Sequence, residues 1–457
     1  MNTRGVMIAA TRSGEGKTIV SCCLMAALSA SGMSVQPFKV GPDYIDPGFH
    51  AVVAGRNSYN LDLWMSDAQG VGELYDGACR GADIAVAEGV MGLFDGAAGN
   101  LDTSSAAVAE LLGLPVILVL DVSKVGQSAA AIAFGFKQFR PSLELKGVIL
   151  NKVGSEKHLA LLRKSFAAAH IDILGALPRE EALLVPEMYL GLQPVTTVAG
   201  LDAEVLASVG QRYLDLEAIG VVAARAARRG LPATQTSAKI RATIGVLRDE
   251  AFCFYYQETF DALRSAGAKL MFFSPISEAN LPTDLDGLYM GGGFPEAFGA
   301  ELQANESLRR AIKDVAAGGM PIYAECGGLL YLLDDIEVEG RRYEMVGAIP
   351  GRGYLTKKRQ ALGYLTAVTA TDCLVASAGA EVRGHEFHWS TAAITGPGSA
   401  AYSKIESTGG LCRENEGYAG DNLLASYVHL QLGQIDGACD RLIDACARYG
   451  EQRRSGE

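Results

Sequence analysis

The chain has 457 residues, more than one ordinary domain, and is 49% hydrophobic against 20% charged, so it can bury more than one large core. Its formal net charge of −12, from 40 basic and 52 acidic side chains, argues against nonspecific binding to nucleic acid or an acidic membrane. Nine cysteines without a CxxC pair or zinc-like spacing, and a first apolar run (6–10) too short for a signal segment or a membrane span, lead us to expect a reduced cytoplasmic protein.

Through the first half, short runs rich in Val, Ile and Leu alternate with helical segments. Strands are expected at 6–10, 35–40, 84–88, 116–121 and 147–151, and a helix over 19–31. The runs lack strict polar alternation, as expected of parallel strands covered on both faces by crossover helices. A polar stretch over 221–240 reads as the end of a helix and a linker. A second α/β series follows, with strands at 243–247, 269–273, 287–290 and 321–324 and a helix over 255–266. The expected domains are therefore 1–220 and 241–450, with a polar, frayed tail over 451–457.

Between the first strand and first helix stands Thr11-Arg12-Ser13-Gly14-Glu15-Gly16-Lys17-Thr18. Glycines let backbone N–H groups turn onto phosphate oxygens, Lys17 reaches the outer phosphates, and Thr18 can meet magnesium. The helix that follows aims its positive end at the same anion. Ser13, Gly14, Glu15, Gly16, Lys17 and Thr18 are thus candidate ATP-binding residues. The strict Gly-x4-Gly-Lys-Thr form is not kept, because position 11 is Thr. Arg12 stands where one branch of the P-loop superfamily, including dethiobiotin synthetase and partition ATPases, carries a second lysine.

Two acidic loops follow strands: KVGPDYIDP (39–47) and AEGVMGLFD (87–95). Doubly wound sheets collect ligands at the carboxyl ends of their strands, and magnesium needs hard oxygen donors. The same Gly, Pro and Asp content also makes ordinary turns. Asn151, at another strand end, could pair with an adenine edge or simply cap the strand.

In the second half, Tyr323-Ala324-Glu325-Cys326-Gly327-Gly328 places a cysteine on a strand-to-helix elbow. A thiolate nucleophile needs a base, and His429 in Ser426-Tyr427-Val428-His429-Leu430-Gln431 is the candidate. The loop Gly291-Gly292-Gly293-Phe294-Pro295-Glu296 can supply oxyanion-hole N–H groups. His385-Glu386-Phe387-His388-Trp389 has its histidines three apart rather than the four of HExxH, so a structural or substrate-facing loop is favoured over a metal site.

Together these stretches resemble the cobyrinate a,c-diamide synthase family, including its relatives acting on hydrogenobyrinate. The match runs through 13–18, 39–47, 87–95, 291–296, 325–328, 383–387 and the SYVHL segment, in the family's order. The resemblance implies a dethiobiotin-synthetase-like P-loop domain with a parallel sheet, followed by a class I glutamine amidotransferase domain of the cobyric acid synthase type. It implies Cys326 as nucleophile, His429 as base, and Gly292 and Gly293 at the oxyanion hole. Thr18, Asp43 and Glu88 would serve Mg2+ or ATP phosphate. Tyr44, Asp46 and Asp95 would serve the substrate. ATP and L-glutamine would be co-substrates, with cobyrinate or a related corrinoid polycarboxylate as acceptor; a homodimer is a family expectation. The alternatives are the same reaction on hydrogenobyrinate or nickel-sirohydrochlorin, or, in another class, a partition-type ATPase switch, which leaves Cys326 idle. Two departures stand out. Gln431 occupies the position where the usual glutaminase triad has Glu, which suggests a Cys-His dyad. Tyr189, in the stretch 186–192, stands where relatives show His.

Overall fold

The computed structural model describes residues 3–179, 202–224, 239–420 and 422–456. Tyr189 and most of the expected linker lie outside the described residues. The chain divides into two compact units, 1–234 and 235–457.

The first unit runs β1 (Arg4–Ala10), α1 (Lys17–Ala30), β2 (Val35–Val40), α2 (Asp46–Ala54), β3 (Tyr59–Leu61), α3 (Ala68–Ala78), β4 (Ile84–Glu88), α4 (Ser105–Leu112), β5 (Val116–Asp121), α5 (Ser128–Phe139), β6 (Leu145–Val153), α6 (Glu156–Ala168), β7 (Ile173–Pro178), α7 (Ala203–Tyr213) and α8 (Leu216–Ala223). Its seven strands pair in parallel in the order β3-β2-β4-β1-β5-β6-β7. Successive residues of β1 serve opposite faces. Met7 and Ala9 join Phe38, Tyr75, Leu118 and Phe166 in one core, while Val6 and Ile8 join Leu24, Val86 and Ile149 in the other. Burial on both faces is why these strands read as unbroken apolar runs. The order reverses at β1, so the loops after β1, β2 and β4 open at the same sheet end, where such folds bind ligands.

The second unit runs β8 (Ala242–Leu247), α9 (Gln257–Ser265), β9 (Ala268–Phe273), β10 (Gly287–Met290), α10 (Gly299–Ala304), α11 (Glu306–Ala317), β11 (Ile322–Glu325), α12 (Gly327–Leu332), β12 (Leu333–Val338), β13 (Arg341–Glu344), β14 (Ile349–Leu355), β15 (Ala361–Thr369), β16 (Glu381–His388), β17 (Ser390–Ile394), β18 (Tyr402–Ser407), β19 (Cys412–Glu416), β20 (Tyr418–Ala419), β21 (Leu423–Ser426) and α13 (Ala438–Ser455). The central sheet has the order β20-β21-β11-β10-β8-β9, parallel except at its β20 edge.

Two features depart from the sequence reading. Strands β12 to β19 form two further four-stranded sheets, β13-β12-β14-β17 and β16-β15-β18-β19, where only one α/β layer was expected. The second is antiparallel, and β15 carries the half-buried alternation of such a sheet. The expected tail is helical to Ser455, because Arg453 and Arg454 donate to Asp286 Oδ1 at 3.3 and 3.2 Å and tie the last turns of α13 down. All nine cysteines are free. Among the described residues no helix is long and apolar enough to cross a membrane.

Candidate active sites

In the first unit, the loop between β1 and α1 turns through Gly14 and Gly16, with φ of 84° and 90°. Gly16 caps α1, and a Cβ there would sit 2.2 Å from Asn151 Nδ2, so the turn tolerates only glycine. Glu15, expected at the nucleotide, instead braces the loop. Its Oε1 accepts from Thr11 Oγ1 at 3.0 Å and Arg12 Nε at 2.8 Å, and its Oε2 accepts from the Asp121 N–H. Asn151 does similar work. Its Nδ2 donates to the Glu15 carbonyl at 2.9 Å and its Oδ1 accepts from the Lys152 N–H at 3.0 Å, so pairing with an adenine edge would require the first bond to give way. Ser13 and Gly14 are exposed at the loop's tip.

Lys17 donates to the Met91 carbonyl at 2.6 Å, which places its ammonium against the loop after β4. Burial and the neighbouring Lys39 lower its pKa to about 8. Thr18 Oγ1 donates to Glu88 Oε1 at 3.0 Å. Glu88 is fully buried at the end of β4 and also accepts from Lys39 Nζ at 2.7 Å, with His50 Nε2 2.7 Å from its other oxygen. Lys39 closes the group by bonding Asp46, with Asp43 Oδ2 3.9 Å away. Burial opposes charge on Glu88, but Lys39 and His50 outweigh it and hold the carboxyl well below the usual range. Burial likewise opposes charge on Lys39, and Asp46, Glu88 and Asp43 keep it firmly protonated. For Asp46, burial and Asp43 dominate and raise the pKa.

Thus Thr18, Asp43, Asp46 and Glu88 converge, and Lys39 and His50 join them; sequence reasoning had passed over both. The signal was present in KVGPDYIDP, since a lysine facing two carboxylates from a buried strand end needs partners. Asp43 also shapes the turn, its Oδ1 accepting from the N–H groups of Ile45 at 2.8 Å and Asp46 at 3.1 Å. Tyr44 is half-buried in that turn. Asp95 is set apart from the cluster, on the loop that Lys17 touches, where its Oδ2 accepts from the Gly92 N–H at 2.9 Å. The donors are hard oxygens, which fit Mg2+. Among the described residues no three His, Cys, Asp or Glu side chains form a metal cage, so a magnesium ion here would use Thr18 and Glu88 together with ligand phosphates.

In the second unit, Cys326 lies between β11 and α12 with φ 48° and ψ −98°, a strained elbow costing about 1–3 kcal/mol. Its N–H donates to the Ser426 carbonyl at 2.7 Å. A Cβ on Gly328 would lie 2.3 Å from the Met290 carbonyl oxygen, so the glycine pair lets α12 start flush against β10. The thiol is buried. Burial, then Glu296 and Glu386, push its pKa well above the ordinary value, so the resting group is a neutral thiol. A Cβ on Gly327 would lie 3.0 Å from the Gly293 amide nitrogen, and one on Gly292 would lie 2.5 Å from His429 Cε1. The glycine loop, the nucleophile and the histidine are therefore one site. Its polar side chains include Glu386 and Glu296, whose Oε1 and Oε2 respectively have no hydrogen-bond partner. Burial lifts Glu296 to about 7.

His429 is pinned by reciprocal backbone bonds with His385, at 2.8 and 3.1 Å. The His385–Trp389 stretch, expected as a loop, is mostly strand β16, whose Phe387 carbonyl lies 4.0 Å from Cys326 Sγ. Burial lowers His385 to about 3 and His388 to about 4, so both are neutral imidazoles. Gln431 turns away from His429, donating to Glu258 Oε1 at 2.8 Å. Glu325 Oε2 lies 3.1 Å from His429 Nδ1.

Comparison with known proteins agrees with both halves. Residues 6–187 match the CobQ/CobB/MinD/ParA nucleotide binding domain, and residues 243–436 the CobB/CobQ-like glutamine amidotransferase domain. The cobyrinate a,c-diamide synthase of a Synechococcus species is 40% identical over 96% of this chain and 98% of its own. That of Dehalococcoides mccartyi is 40% identical over 95% and 96%. That of Methanosarcina acetivorans is 37% identical over 98% and 96%. A phosphate loop facing a carboxylate cluster, a cysteine elbow beside a glycine loop and a histidine, and likeness along nearly the whole length identify the chain as a member of the cobyrinate a,c-diamide synthase family of glutamine-dependent ligases.

Proposed function

We propose that the chain amidates the a and c acetate carboxylates of cobyrinate, using ATP and glutamine, in cobalamin biosynthesis. The observation that carries this is the placing of Lys17, Thr18, Glu88 and Lys39 around one phosphate loop in a chain that also holds the Cys326 elbow. At the elbow, the Cys326 proton passes to His429 as the sulfur attacks the glutamine side-chain amide carbon. Gly292 and Gly293 meet the oxyanion. The C–N bond breaks, the proton leaves with ammonia, and water cleaves the thioester to glutamate. In the first unit, a substrate carboxylate takes the γ-phosphoryl group of ATP and ADP departs. Ammonia then attacks the acyl carbon and phosphate leaves, once for each acetate. Thr18 and Glu88 would hold a magnesium ion together with phosphate oxygens, and the ion would supply charge neutralisation for the phosphoryl transfer. Lys17 and Lys39 give fixed positive charge at the same end of the sheet, and Asp43, Tyr44, Asp46 and Asp95 border it on the acceptor side.

Incubating the purified protein with ATP, Mg2+ and glutamine and each of cobyrinate, hydrogenobyrinate and nickel-sirohydrochlorin, with products read by mass spectrometry, tests the assignment. Two amide substitutions on cobyrinate are expected. Amidation confined to either other macrocycle would reassign the substrate, and none on any of the three would remove the reading. Gly292→Ala gives a separate check. The new methyl displaces the His429 ring, so glutamine-supported synthesis should fall by about 10²-fold while ammonia-supported synthesis is kept.

A further inference from the structure

We propose that Glu325, the residue immediately before the nucleophile, is the carboxylate that positions His429, so that this glutaminase site is a Cys-His-Glu triad whose acid comes from the nucleophile's own strand. The inference rests on the reading of Cys326 as a glutaminase nucleophile.

Side chains alternate along a strand, so Tyr323 and Glu325 of β11 share a face, and Cys326 follows at the elbow. Strand β21 pairs with β11 in parallel, with Glu325 opposite Ser426. That register carries the chain beyond β21 back over the end of β11, and three residues after Ser426 it delivers His429. The Glu325 carboxylate, 1% exposed, lies with Oε2 3.1 Å from His429 Nδ1. Its other oxygen accepts from the Tyr323 hydroxyl at 2.5 Å and from the Leu430 N–H at 3.4 Å. A buried carboxylate must be compensated, and here the compensation comes from a phenol, a backbone amide and the imidazole.

This arrangement fixes the tautomer. With Nδ1–H donated to Glu325, Nε2 is the basic nitrogen, and it is the Nε2–Cε1 edge of the ring that approaches Gly292. The thiol is neutral at rest, so attack on glutamine makes an imidazolium in a buried site, and an adjacent carboxylate stabilises it. The position two residues after His429 cannot do this, because Gln431 is held by Glu258 on another element. The site has kept the carboxylate's task and moved its source.

The test is Glu325→Gln in the full chain, with glutaminase activity and ammonia-supported diamide synthesis measured side by side. We expect the glutaminase kcat to fall by about 10²-fold or more with the KM for glutamine within about twofold of wild type. The low-pH limb of kcat/KM should move to lower pH, since a neutral amide no longer favours the imidazolium. The other titratable groups that interact with the ring from neighbouring elements (His385, Glu386 and His388) are unaltered by the substitution. Ammonia-supported synthesis should be unchanged. Wild-type kcat and an unmoved limb would overturn the proposal. Should Glu325→Gln not fold, Glu325→Asp is read instead. It keeps the charge but withdraws it by one methylene, so kcat should fall at constant KM with the limb in place, and a wild-type kcat there would equally overturn it. Absence of glutaminase activity in the unmutated protein would strike the underlying reading of Cys326 instead.

Discussion

Cys326→Ala should abolish glutamine-supported diamide synthesis, by at least about 10⁴-fold, and leave synthesis from ammonium salts near the wild-type rate. The size follows from the chemistry. Cys326 is the thiol at the strained elbow, beside the glycine loop that His429 faces, and no imidazole near it replaces a thiol as the group that forms the acyl-enzyme. The alanine side chain is smaller than the thiol and fits the strained elbow no worse, so the site should keep its shape. The measurement is product formation with glutamine or with ammonium chloride as sole nitrogen source, at a pH high enough to supply free ammonia. Loss of both activities would show that the thiol serves the synthetase reaction as well, and retention of both would remove Cys326 from glutamine hydrolysis.

Lys17→Met should give the complementary result, a loss of about 10³-fold in synthesis from either nitrogen source with basal glutaminase activity retained. Lys17 is held by the Met91 carbonyl at 2.6 Å rather than by a carboxylate, so its charge is not neutralised by an ion pair and remains available to phosphate. Burial, and then the neighbouring Lys39, have lowered its pKa to about 8, against the opposing pull of Glu88, Asp46 and Glu15, so a bound phosphate would favour its charged form. Methionine keeps the length and apolar stem of the side chain, so α1 should keep its packing. Parallel assays of ATP-dependent amidation and of glutamate release separate the two reactions. Amidation at the wild-type rate would remove the phosphate role.

These paired outcomes rest on elements that were legible in the sequence for local reasons. The strands at 84–88 and 116–121 were visible because each is an apolar run ending in an acidic residue, and the phosphate loop was visible because its glycines carry a backbone requirement. What escaped was nonlocal. Glu325 lay in plain view beside the cysteine, but its role depends on the register of β21 against β11, which brings residue 429 to residue 325 across about a hundred positions of chain. The usual spacing for the carboxylate points to Gln431, whose side chain is bonded to Glu258 instead. Lys39 was missed in part for a similar reason, because its partner Glu88 comes from the end of another strand, although Asp46 lay in the same stretch. For Glu15 and Asn151 the sequence leaves the role open, since a polar residue beside a phosphate loop looks the same whether it holds the nucleotide or holds the loop, and here both brace the loop.

The neutral resting thiol bears on how the enzyme survives oxidants. Peroxide reacts with thiolates, and a buried sulfur that is protonated until substrate binds offers it almost nothing to attack. Cys22, Cys23, Cys79 and Cys446 are buried in the same way, and desolvation raises the thiols of these four and of the half-buried Cys253 and Cys439. A chain with nine free thiols thus keeps most of them protonated and at least half-buried, with Cys412 exposed at the surface.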